Sequence, residues 1–139
     1  MERRAATCLH RHTPTVVSLI VLVVAGFFSK FYEGPAAVWA NNSLAGMFYV
    51  VFWCVLASLF LPRIRPLKIA LAVLVVTCFL ECLQLWHPPL LESMREPFIG
   101  RALLGTSFVW SDFPYYVLGS GIGWLWIGWL RRLEARVAA

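Results

Sequence analysis

Apolar residues in this chain neither alternate nor keep to a narrow helical stripe; they come in blocks. Residues 15–31, 44–61, 67–86 and 113–130 are each predominantly apolar. A helix needs roughly 20 such residues, within a range of about 17–25, to cross a bilayer. The pattern therefore predicts an all-α polytopic membrane protein, a bundle of four transmembrane helices forming one domain over residues 1–139. Two connections are short. Residues 32–43 hold "EGP" and "NNS", both turn signals, and "PRIRP" makes a tight turn between the second and third blocks. The third connection, residues 87–112, is long for a compact protein, and loops of that length are usually functional or mobile.

The first block is the shortest. Its strictly apolar core follows a basic segment, and "GPAAVWA" downstream offers small residues of the kind a signal peptidase accepts. Lys30 and Glu33 separate that core from any such site, so a retained helix is expected.

The long loop is itself patterned. Leu90, Leu91, Met94 and Phe98 recur at helical spacing among Glu92, Arg95, Glu96 and Arg101, as an amphipathic segment on a membrane surface requires. It reads either as a surface-adsorbed loop or as a lid over a site on the outer face.

Composition agrees with the blocks. The chain is 60% hydrophobic and 14% charged, against about 25% charged for a soluble domain. Its charge then orients it. Arg3, Arg4, Arg11, Arg63, Arg65, Lys68, Arg131, Arg132 and Arg136 fall on one side of the predicted spans, leaving only Lys30, Arg95 and Arg101 on the other. By the positive-inside rule both termini are cytoplasmic, and the expected location is the inner (cytoplasmic) membrane. The net charge of +5 is spread as topology and lipid contacts distribute it. No nucleic-acid motif accompanies it, so membrane lipids are the expected partners, with self-association left open.

Few motifs carry chemistry. Cys54, Cys78 and Cys82 lie inside predicted spans, where cysteine packs as a small apolar residue. Cys8, His10 and His12 cluster near the N-terminus but lack the fourth ligand of a structural zinc site. "GRALLGTS" has Thr106 where a phosphate-binding loop needs lysine, and no strand precedes it. No metal or other cofactor is implied.

The exception is a polar stripe. Thr77, Glu81 and Gln84 share one face of the third helix. If that helix reaches the outer interface at Trp86, Glu81 lies about 7–8 Å below it. Asp112, Tyr116, Gly119 and Gly123 form a matching stripe on the fourth helix, with Tyr116 about 6 Å below Asp112 and so level with Glu81. Gly119 and Gly123 make a G-x-x-x-G that admits a close neighbour. If the third helix is that neighbour, Glu81, Gln84, Asp112 and Tyr116 converge below the outer surface, with Arg101 as the cation to join them. Ionisable residues inside a span mark functional sites by default. Glu81 could equally be protonated and bonded to Tyr116, or ionised and paired with Arg101, in a purely structural role. His87 reads as an anchor at the helix end, which Pro88 and Pro89 terminate.

The order E-x-x-Q, loop, then D-x-x-x-[N]-x-x-G-x-x-x-G resembles the VanZ-like family. Here it reads Glu81, Gln84 and "DFPYYVLGSGIG", with Asp112, Gly119 and Gly123. "ECLQLWHPP" and "GTSFVWSDFPYY" also look like a set of small bacterial membrane proteins known only as a domain of unknown function. The resemblance covers residues 67–129 and departs at Tyr116, where VanZ-like proteins carry asparagine, and at the arginine before the aspartate, represented here by Arg101. It implies a cell-envelope role and supplies no reaction.

Three functions follow as alternatives. The outer cluster (Glu81, Gln84, Arg101, Asp112, Tyr116) binds a lipid headgroup, a lipid-linked precursor or a drug moiety. Alternatively Glu81 and Asp112 divide acid and base roles in a membrane enzyme, although no nucleophile or metal set stands near them. In the third, the cluster only pins the helices of an assembly subunit.

Overall fold

The computed structural model describes residues 12–104 and 108–137. The chain is all-α and multi-spanning. Among the described residues, three helices are long and apolar enough to cross a membrane: α1 (Thr13–Lys30), α2 (Ala37–Phe60) and α3 (Pro66–Leu83). Two short helices follow, α4 (Pro89–Arg95) and α5 (Phe98–Leu104), and then the long α6 (Asp112–Val137). α6 is less apolar than the other three because tyrosine, tryptophan and glycine replace much of their valine and leucine.

Proline sets several boundaries. It stands within the first two positions of α1, α3 and α4, where its missing N–H is no loss. "PRIRP" turns between α2 and α3 as its two prolines dictate. The first loop departs from expectation. The chain is helical again from Ala37, after a left-handed residue at Ala36 (φ 63°). "NNS", read as a turn, lies within a π-helical turn over Ala40–Leu44.

α2 and α6 form the centre. Val50, Cys54, Ile69, Ala70, Tyr116 and Ile127 make one core between α2, α3 and α6. Leu22, Val51, Val55 and Leu130 make a second between α1, α2 and α6. Successive residues of α2 thus serve different cores, as a helix that turns about 100° per residue allows. The outer faces of α1 and α3, including Val17, Ile20, Phe28, Val75 and Phe79, are exposed and apolar, and it is through such surfaces that the protein meets lipid.

The sequence left the neighbour of the glycine pair open, with α3 as one candidate; the structure places α2 there. A Cβ on Gly119 would meet the Met47 carbonyl oxygen at 2.8 Å, and one on Gly123 would meet Cys54 Cβ at 2.7 Å. α3 instead meets the neighbouring face of α6, where buried Ser120 donates to the Ala70 carbonyl at 2.8 Å. One residue of helix is about 100° of rotation, enough to change the partner.

Polar ties mark the opposite end of α6. Glu134 accepts from Thr15 Oγ1 at 2.6 Å and lies 3.3 Å from His12 Nδ1, at the start of α1. Arg131 donates to the Leu61 carbonyl at 3.3 Å, at the end of α2. Each charge complements the dipole of the helix end it meets. Of the N-terminal cysteine and histidine group only His12 is described; Cys8 and His10 lie outside the described residues, as do Gly105 and Thr106 of "GRALLGTS". Among the described residues no group of three potential metal ligands forms.

Candidate functional site

Glu81 is 2% exposed in the last turn of α3. A buried carboxylate needs hydrogen bonds to offset its lost hydration, and this one has three. Tyr116 Oη donates to Oε2 at 2.7 Å, Gln84 Nε2 to the same oxygen at 3.3 Å, and the Val109 backbone N–H to Oε1 at 2.9 Å. The Val109 N–H and the Gln84 amide nitrogen can only donate, so at these two contacts the carboxyl group accepts. The bond to Tyr116 is the one a structural role requires, whereas no cation pairs with Glu81 among the described residues. Thr77, on the same face, is buried but returns its hydroxyl to the Val73 carbonyl at 2.8 Å.

Arg101 is exposed on α5 and makes no ion pair with Glu81 or Asp112 among the described residues. The buried cation at this end is Arg95, 7% exposed in the last turn of α4. Its guanidinium donates to the Leu83 carbonyl at 3.1 Å, with longer contacts to the Trp86 carbonyl at 3.5 Å and to His87 Nδ1 at 3.3 Å. It therefore closes the carbonyl end of α3. Sequence reasoning treated Arg95 as one more polar residue of an amphipathic loop. The available signal was Pro88-Pro89, which starts a new helix at once and folds its last turn back on α3. Leu90, Met94 and Phe98 are exposed around it, and the pattern is broken by the bend between α4 and α5 at Glu96 and Pro97. Arg95→Gln is expected to leave the protein folded but to speed amide hydrogen exchange across residues 84–96, since the α3 carbonyls lose their main donor. Unchanged protection there would show that Arg95 does not hold α4.

At this end of the bundle several polar atoms are buried without a hydrogen-bond partner. They include Gln84 Oε1, Asp112 Oδ1, Arg95 Nε and, in the π-helical turn, Asn41 Oδ1. Asp112, the first residue of α6, lies within electrostatic reach of Glu81 and of Lys30. The Lys30 ammonium donates to the Asn41 carbonyl at 3.2 Å. An aromatic group borders the same end. Phe108 and Trp110 stack edge to face at 4.9 Å, and Phe113 lies 5.8 Å from Trp110 and 6.2 Å from Tyr116. Trp39 donates to Tyr115 Oη at 2.8 Å, tying α2 to α6 beside them.

The structure thus gathers Glu81, Gln84 and Tyr116 by direct bonds and Asp112 by proximity, and leaves Arg101 outside. Gly119 and Gly123 set the spacing of α2 and α6 below them. No curated protein and no solved structure matches the chain. The family model that matches, over residues 35–120, is described as "Protein of unknown function (DUF2809)". It corrects the resemblance to the VanZ-like family, which rested on a few residues at matching intervals and already failed at Tyr116 and at the missing arginine. That match spans well over half of the sequence, and the chain belongs to the DUF2809 family.

Proposed function

We propose that the protein is a single four-helix membrane domain of the cell envelope, with both termini cytoplasmic, that binds the polar headgroup of an amphiphile at the outer ends of α2, α3 and α6. On this reading α6 is the fourth span, because its 26 residues are about 39 Å of helix and its buried face packs with α2 and α3. The basic residues flanking α1, α2 and α6 support the orientation.

The observation that carries the binding role is the pair of unpartnered acceptors, Gln84 Oε1 and Asp112 Oδ1, beside a carboxylate that is itself fully bonded. Buried polar groups are nearly always paired, and an orphaned pair next to an intramembrane acid needs something to donate to it. Glu81 and Tyr116 are then the floor of the site, and Gln84 and Asp112 the atoms that meet the headgroup. Arg101, exposed on α5, lies outside this set, at the surface of the loop.

Native mass spectrometry of the detergent-purified protein tests this. Wild type is expected to carry a discrete adduct that a folded Asp112→Asn variant loses, and the same spectra report whether copies associate. Absence of any adduct, with Asp112→Asn merely less stable to heat, would reduce the cluster to a structural device.

A further inference from the structure

We propose that the outer site takes a protonated primary amine, the ammonium group of a headgroup, and discriminates against phosphate. This rests on the binding role above and deepens it.

Charge points first to a cation. Two carboxylates, Glu81 and Asp112, share one end of the bundle, and no arginine, lysine or histidine forms an ion pair with either among the described residues. The Lys30 ammonium, within electrostatic reach of Asp112, bonds to the Asn41 carbonyl, and the Arg95 guanidinium bonds to the Leu83 carbonyl with its Nε left without a partner. An anion entering here would meet like charge with reduced screening by water.

Hydrogen bonding then narrows the cation. The side-chain amide of Gln84 is oriented by its neighbour. Its nitrogen donates to Glu81 Oε2, and the flipped amide would set oxygen against oxygen. Gln84 Oε1 and Asp112 Oδ1 are therefore both acceptors in need of donors. A primary ammonium supplies three N–H groups; a quaternary ammonium supplies none.

The aromatic group provides the wall. Trp110 is 77% exposed, and Trp110, Phe113 and Tyr116 follow one another from the surface down to the phenol that holds Glu81. Ring faces attract cations, tryptophan most strongly. An interfacial belt would account for Trp110 alone, but not for a continuous aromatic path ending on a buried acid.

The test is the thermal unfolding midpoint in maltoside micelles carrying a small mole fraction of one additive. The probes are dodecylammonium, dodecyltrimethylammonium, dodecyl phosphate and, in the aqueous phase, ethanolamine. Dodecylammonium is expected to raise the midpoint by about 3 °C or more, as a ligand well above its Kd does. Dodecyltrimethylammonium should give less than half that shift, and dodecyl phosphate none. Asp112→Asn and Gln84→Leu should abolish the shift. Trp110→Leu, at an exposed position, should at least halve it. Ethanolamine matching dodecylammonium would support the amine and place its source in solution. A shift from dodecyl phosphate equal to or above that from dodecylammonium, abolished by Asp112→Asn, would overturn the amine and keep the headgroup site. So would an equal shift from the trimethylated probe. No shift from any probe would remove both.

Discussion

Gly119→Ala is expected to destabilise the protein by about 1–3 kcal/mol, the usual cost of forcing a methyl group into a packed interface. The new Cβ would sit 2.8 Å from the Met47 carbonyl oxygen and 3.1 Å from Val50 Cβ. A backbone oxygen cannot rotate away, so α2 must move, and with it the two cores that α2 and α6 share. Gly123→Ala meets Cys54 Cβ and Sγ at 2.7 and 2.8 Å and should fall in the same range. Gly121 and Gly128 on the same helix have nothing within 4 Å of an added Cβ. Their alanine variants should be neutral or gain about 0.5–1 kcal/mol, because alanine stiffens the helix at no steric cost. Unfolding by denaturing detergent would measure all four. Equal effects at all four positions would mean that α2 does not approach α6 as described.

The second large effect is expected at Glu81. Glu81→Ala strands three donors, the Tyr116 hydroxyl, the Val109 N–H and the Gln84 amide. Two of those bonds join α3 to other segments. In membrane proteins such bonds average about 0.6 kcal/mol and reach about 1.7, so a loss of about 1–3 kcal/mol is expected. Tyr116→Phe should cost less, since Glu81 keeps its other two donors. A double-mutant cycle between the two positions should return a coupling of about 0.6–1.7 kcal/mol. A coupling near zero would mean that the Tyr116 hydroxyl does not reach the carboxylate. Glu81→Gln should be the mildest change, because the tyrosine hydroxyl can turn to accept from an amide.

Depth was legible in the sequence; rotation was not. Helical rise alone put Tyr116 level with Glu81, and the two are bonded. Rise is a single number per residue, whereas the identity of a neighbour depends on rotation about the axis, which adjacent positions change by about 100°. Gly119 and Ser120 illustrate this, one against α2 and the other against α3. Arg95 escaped for a related reason. Its role depends on a chain reversal at Pro88-Pro89 that brings α4 under the end of α3, and periodicity within a segment carries no information about reversals between segments. The π-helical turn at Ala40–Leu44 inserts polar residues into an otherwise helical run, and composition reads such residues as a break. The family resemblance failed on the same ground. Short polar motifs at suitable intervals report that an acid is needed late in a span, a requirement that unrelated membrane proteins share.

The ties at the C-terminal end of α6 have a mechanical meaning. Glu134 grips the start of α1 and Arg131 the end of α2, and these neighbours run in opposite directions. A shaft held at two points on different sides is keyed against turning. Tyr116 lies 15 residues before Arg131 on that shaft, about 22 Å away along the axis. One helix therefore presents Tyr116 to Glu81 at one end while its other end is held against both α1 and α2.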